Sequence, residues 1–226
     1  MFDTPPTPEL LRSLGKLVRG LSALFWGLPT ALIVCVGTAL GGWFRVFSIA
    51  PVMMTTGLIF YGLWQIGAFQ KQERPWRLAL DRTRLVALVN FGLSPFLYWW
   101  NRMPDNSFFS TVLGLLAVSS LLFLFNLNLV IARLGQMIPD ETLREETRQF
   151  TAINRAMLVM LVVIASCYVF LMQMPNLPGS VMRMIFQLQR IGQPVVMLLV
   201  LLPLSLTMSL LWKTKEVIMD SLLTHR

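Results

Sequence analysis

The sequence predicts an all-α integral membrane protein of six transmembrane helices, arranged as three hairpins, with amphipathic helices at the membrane surface. Three observations predict it. The 226 residues are 55% hydrophobic and 13% charged, with a mean hydropathy of +0.65, whereas soluble domains carry about 25% charge. The apolar residues gather into six runs, and a bilayer core about 30 Å thick needs about 20 such residues as helix. The basic residues are dense in every second connecting segment and sparse in the others. An ordinary soluble domain, a disordered chain and a secreted disulfide scaffold are excluded on these grounds. Cys35 and Cys167 both sit inside apolar runs, where they read as small hydrophobes.

Residues 1–23 read as a cytoplasmic tail. Within 8–21, Leu10, Leu14, Leu17 and Leu21 share one helical face, and Arg12, Lys16 and Arg19 fall opposite. That pattern predicts an amphipathic helix lying on the membrane and leading into the first span. The transmembrane domain is expected over 24–212, with spans at 24–44, 47–69, 85–100, 108–132, 156–174 and 194–212. None of the six contains Asp, Glu, Lys, Arg or His. The first two are separated by Arg45 and Val46, which predicts a tight hairpin. The first run is too long, and too far from the start, for a cleaved signal peptide. The third is short and carries Pro95. Pro51, with Thr55 and Thr56, is expected to bend the second helix, and Pro203 the sixth.

Two helices are expected to continue beyond the bilayer. Pro75 opens a helical pattern over 75–84 that feeds the third span. Residues 140–174 contain neither Gly nor Pro, and Pro139, Asp140 and Glu141 form a good helix start. One helix of roughly 50 Å is therefore expected there, at 1.5 Å per residue, with 140–155 projecting into the cytoplasm. Outside, 181–191 places Val181, Met184, Ile185, Leu188 and Ile191 on one face, which predicts a second interfacial helix. Residues 213–226 read as a second cytoplasmic tail. Segments 79–104 and 152–175 share a faint pattern, each ending in Met-Pro, in keeping with repeated hairpins.

The charges set the orientation. Fifteen Lys and Arg fall on one side of this arrangement, against Arg45, Arg102, Arg183 and Arg190 on the other. The positive-inside rule then places both termini in the cytoplasm, in a bacterial-type plasma membrane. The net charge of +8 accordingly reports sidedness and attraction to anionic inner-leaflet lipid. Nucleic acid is not expected as a partner, because no soluble segment is long enough to form a basic domain.

Catalytic chemistry is sparse. No span holds the intramembrane acid or base that marks proton relays and ion pathways. The lone histidine, His225, cannot build a metal helix or a haem ligand pair. No phosphate-binding loop is present. No enzyme activity, cofactor or metal is expected. What remains is amides, hydroxyls and aromatics. Asn90, Asn126 and Asn128 are the candidates for an intramembrane polar site, centred on Asn90 and Asn126 between the third and fourth spans; interhelical hydrogen bonding that merely fixes packing is the alternative. Trp99 and Trp100 beside Arg102 are candidates for an outer phosphate or headgroup contact; an aromatic belt at the interface is the plainer alternative. Arg77, Arg144 and Arg148 are candidates for a cytoplasmic protein-docking surface. The function expected is a non-enzymatic accessory or scaffold subunit, with a membrane or cytoplasmic protein partner. The alternative is a small transporter or lipid-handling permease.

Overall fold

A computed structural model describes residues 8–39, 48–69, 73–103, 105–137, 141–172 and 200–219. Those residues are helical almost throughout, and none is in a strand. The helices are α1 (Pro8–Ala39), α2 (Ala50–Ile66), α3 (Arg74–Leu93), α4 (Phe96–Arg102), α5 (Ser107–Met137) and α6 (Glu141–Met172), followed by α7 (200–219).

The α1–α2 pair follows from its spacing. Leu17, Leu21, Leu24, Leu28 and Ala31 recur every three or four residues and are all buried, and so are Ile59, Leu63 and Ile66 of α2. Such stripes interdigitate along near-parallel axes. Gly20 permits the approach: a Cβ there would lie 2.6 Å from Ile66 Cγ1 and 2.7 Å from the Gly62 carbonyl oxygen. Gly20 meets the end of α2 while Gly27 meets Ile59, so the two helices run antiparallel. The same core takes in Trp76, Ala79, Leu80 and Ala87 of α3, Phe123 to Leu134 of α5, Leu158 of α6, and Leu204 to Ile218 of α7. A smaller cluster of Val34, Val52, Leu97 and Leu116 closes the opposite end of the bundle. Within lipid, which is as apolar as Leu, this interior contributes packing rather than transfer from water.

Among the described residues, three helices are long and apolar enough to cross a membrane: Arg12–Ala39, Ser107–Met137 and Arg148–Cys167. The first two contain the described parts of the first and fourth expected spans, and the third covers 156–167 of the fifth. Large apolar side chains stay exposed along them, Trp26, Leu115, Val159 and Val163 among them. In water such faces would drive association, whereas acyl chains solvate them.

Several expectations are corrected. Segment 8–21 is not a separate surface helix: α1 runs unbroken to Ala39, and Leu17 and Leu21 pack on α2 instead of on lipid. Nothing between Leu21 and Leu24 breaks the helix, and Gly20 serves close packing. The third span is not one helix. It breaks at Ser94 and Pro95, where Leu97 N–H reaches back only to the Ser94 carbonyl and Tyr98 N–H to that of Pro95, because proline has no N–H to continue the ladder. Pro51 does not bend α2; it occupies its first turn, where a missing N–H costs nothing. Residues 75–84 form no free stalk, since Trp76, Ala79, Leu80 and Thr83 are buried in the bundle. Helix α7 continues past Trp212 to residue 219, so the second tail begins as helix. The long fifth helix is a single element of 32 residues. Residues 181–191, the Arg45–Val46 turn and His225 lie outside the described residues.

Candidate functional site

Three helices meet at a buried polar cluster. Asn128 of α5, Asn154 of α6 and Thr207 of α7 are all fully buried. Asn154 Nδ2 donates to Asn128 Oδ1 at 2.9 Å, to Thr207 Oγ1 at 3.0 Å and to the Pro203 carbonyl at 3.3 Å. Asn128 Nδ2 donates to Thr207 Oγ1 at 2.9 Å and to the Leu124 carbonyl at 2.8 Å. The Thr207 hydroxyl donates in turn to the Pro203 carbonyl at 2.7 Å. Asn128 thus spends both amide protons, and Thr207 spends its one. Asn154 Oδ1 and Thr151 Oγ1, one turn earlier on α6, are buried without a partner among the described residues. Amides and hydroxyls do not titrate near neutrality, so the cluster holds helices and orients dipoles but does not exchange protons. Next to it, Arg155 lies over the Phe125 ring at 5.3 Å, keeping its charge away from the interior.

The sequence candidates are distributed differently from expectation. Asn126 Nδ2 donates to the Leu122 carbonyl of its own helix at 2.8 Å, while Asn90 Oδ1 is buried without a partner among the described residues. The structure brings Asn128 together with Asn154 and Thr207 and leaves Asn90 and Asn126 out. Asn154 was missed because Arg155 placed it beyond the fifth span. Helical geometry was the available signal: neighbouring residues point about 100° apart, so a buried amide and a surface cation fit side by side.

A second polar region lies where α2 ends and α3 begins. Arg84 Nη2 donates to the Leu63 carbonyl at 3.2 Å and to that of Trp64 at 3.4 Å. A cation over the last carbonyls of a helix complements its dipole. Arg84 Nη1 pairs with Asp81 at 3.5 Å, and the guanidinium stacks over Trp64 at 5.4 Å. Gly67 leaves the guanidinium room, since a Cβ there would collide with Nη2. Arg77 is exposed nearby, and Arg148 is exposed on α6; the side chain of Arg144 lies outside the described residues.

At the opposite end, Asn101 Nδ2 donates to the carbonyls of Thr38 at 2.6 Å and Ala39 at 3.2 Å, completing the end of α1. Arg102 stacks over Tyr98 at 5.2 Å rather than over either tryptophan. Trp100 Nε1 donates to Ser110 Oγ at 3.3 Å, and Trp99 is exposed. Among the described residues no group of three His, Cys, Asp or Glu could hold a metal.

Protein families, curated proteins and solved structures return no match to this chain.

Proposed function

We propose that this chain is an integral membrane protein of six spans, a non-enzymatic accessory or scaffold subunit of a bacterial-type plasma membrane, with both termini cytoplasmic. The observation that carries the reading is the state of the interior. Asn128, Asn154 and Thr207 engage one another within a core of Leu, Ile and Phe. Buried polar groups used this way join helices; a solute path needs them facing a cavity. Asn126 is likewise engaged by its own helix, which weakens the permease alternative.

The remaining three spans are α2, α3 with α4, and α7; α2, α3 and α7 pack in the same core as the three longer apolar helices, and Leu97 of α4 packs in the smaller cluster. Helix α2, at 17 residues, extends about 25 Å, close to the hydrocarbon thickness. Sidedness rests on charge. The end of the bundle where α1 and α3 begin carries Arg12, Lys16, Arg19, Arg74, Arg77 and Arg82 against Glu73 and Asp81, whereas the other end carries Arg102 against Asp105 among the described residues. That basic end attracts anionic lipid, and Arg77, Arg144 and Arg148 on it are the proposed docking surface for a membrane or cytoplasmic protein.

The test is affinity purification from native membranes after crosslinking, comparing the wild-type chain with Arg148→Glu and Arg144→Glu. A partner recovered with wild type and depleted about tenfold or more in the variants is expected, since reversing a charge in a complementary interface costs more than 1.4 kcal/mol. Solute flux into proteoliposomes that Asn128→Leu abolishes would overturn the reading in favour of transport.

A further inference from the structure

Acyl chains offer an amide neither donor nor acceptor, so an amide on the lipid-facing side of a spanning helix is costly unless another helix meets it. Helix α5 carries one. Asn126 and Asn128 point about 200° apart, and the fold uses them differently. Asn128 is fully buried between α6 and α7, whereas Asn126 is partly exposed on the outer side of the bundle. Its hydrogen bond among the described residues runs from Nδ2 to the Leu122 carbonyl of its own helix. An amide has two N–H groups and an oxygen that accepts twice, so Oδ1 and the second N–H stay in hand. Arg133 lies about 10 Å further along α5, at its cytoplasmic end, which puts Asn126 well inside the hydrocarbon.

The neighbours on that face form a seam. Leu115, Ser119, Leu122, Asn126 and Leu129 follow one another at four, three, four and three residues, the spacing by which paired helices interlock. Leu115 and Leu122 are exposed, and Ser119 and Leu129 are partly so. The small Ser119 lets a second backbone approach. The chain's own remaining segments adjoin other places. Residues 173–199 join α6 to α7, the two helices on the Asn128 side of α5. The other segments outside the described residues adjoin helix ends, and the nearer end of α5 is about 17 Å from Asn126.

An asparagine amide is complementary to its own copy, since each donates an N–H to the other's oxygen. Copies of one chain share one orientation in the bilayer. Two α5 helices therefore meet in parallel, with residue 126 opposite residue 126, as a two-fold interface requires. Arg133 ends the seam at the hydrated surface, where salt screens the like charges. We propose that this chain self-associates in the membrane as a parallel dimer along α5, through Leu115, Ser119, Leu122 and Leu129, with paired Asn126 amides fixing the register. This rests on the membrane reading of α5 and is independent of the accessory role.

The test uses the full chain in native membranes, with Cys35 and Cys167 changed to alanine. Leu115→Cys and Leu122→Cys report on the seam, and Val159→Cys, exposed on α6, is the control. A disulfide needs Cα atoms within about 7 Å. Mild oxidation is therefore expected to give a band of twice the chain mass from positions 115 and 122 and none from 159. Förster transfer between fluorescently labelled copies, diluted with lipid in liposomes, then reads the dissociation constant. Asn126→Leu is expected to raise it about tenfold, each of two exchanged amide bonds being worth a factor of about three. Asn126→Gln, which keeps the amide, should associate more tightly than Asn126→Leu. Equal crosslinking at 159, no doubled band from 115 or 122, crosslinks only to a chain of another mass, or wild-type association in Asn126→Leu overturns the proposal. Absence of the wild-type chain from the membrane fraction would overturn the membrane reading and the dimer together.

Discussion

Asn154 donates an amide hydrogen bond to Asn128 Oδ1 across 2.9 Å, joining α6 to α5 between two fully buried side chains. Removing one partner strands the other in an apolar interior. Asn154→Leu is expected to destabilise the protein by about 1–2 kcal/mol. The double variant Asn128→Leu/Asn154→Leu should lose less than the sum of the two single changes, with a coupling of about 0.6–1.7 kcal/mol. Unfolding in detergent titrations of all four proteins measures it, and strict additivity would contradict the bond.

Gly20 and Gly15 lie on the same helix and should respond oppositely. A Cβ at Gly20 would press on the Gly62 carbonyl oxygen and on Ile66, whereas at Gly15 it would meet nothing within 4 Å. Gly20→Ala is expected to cost about 1–3 kcal/mol through overpacking. Gly15→Ala is expected to be neutral or to stabilise by up to about 1 kcal/mol, through helix propensity alone. Thermal unfolding of the pair separates the two effects.

Arg84 closes α2 with two carbonyl hydrogen bonds. Arg84→Gln should lower stability by about 1.5–3 kcal/mol, the range for hydrogen bonds to a charged group. Its ion-pair partner matters less: Asp81 is 63% exposed, so Asp81→Asn should change stability by less than about 1 kcal/mol. Equal losses would mean that the ion pair, and not the helix end, is what Arg84 serves.

Sidedness is checked by single cysteines. With Cys35 and Cys167 changed to alanine, Arg77→Cys and Arg102→Cys lie at opposite ends of the α3–α4 pair. A membrane-impermeant maleimide is expected to reach position 77 only from the cytoplasmic face and position 102 only from the other. Labelling of both from one face would remove the crossing assigned to α3 with α4.

The all-helical class was legible in composition, and the long α6 was legible in the absence of Gly and Pro between residues 140 and 174. Other features were hidden for identifiable reasons. The continuity of α1 was obscured because its first half carries charges and its second does not, so one helix reads as two environments. Buried Leu17 and Leu21 look the same in sequence whether they face lipid or another helix. The break before α4 was signalled by Pro95, but a proline within an apolar run fits a kink as well as a break. Asn128 was legible as a buried amide. Its partners were not, because Asn154 stands beside a charged residue and Thr207 reads as an ordinary small polar residue of a span.

Arg84 holds the end of α2, and Asn101 holds the end of α1. Both come from the α3–α4 segment, 17 positions apart in sequence. The two helices are antiparallel, so these ends lie at opposite extremes of the bundle. Axial sliding of the α1–α2 pair along α3 in either direction would pull one of the two fastenings apart. The segment therefore acts as a gauge of fixed length, and the break at Pro95 sets that length. Tilting or rotation about the axis strains these fastenings less than translation does, so any working motion of the α1–α2 pair would take those forms.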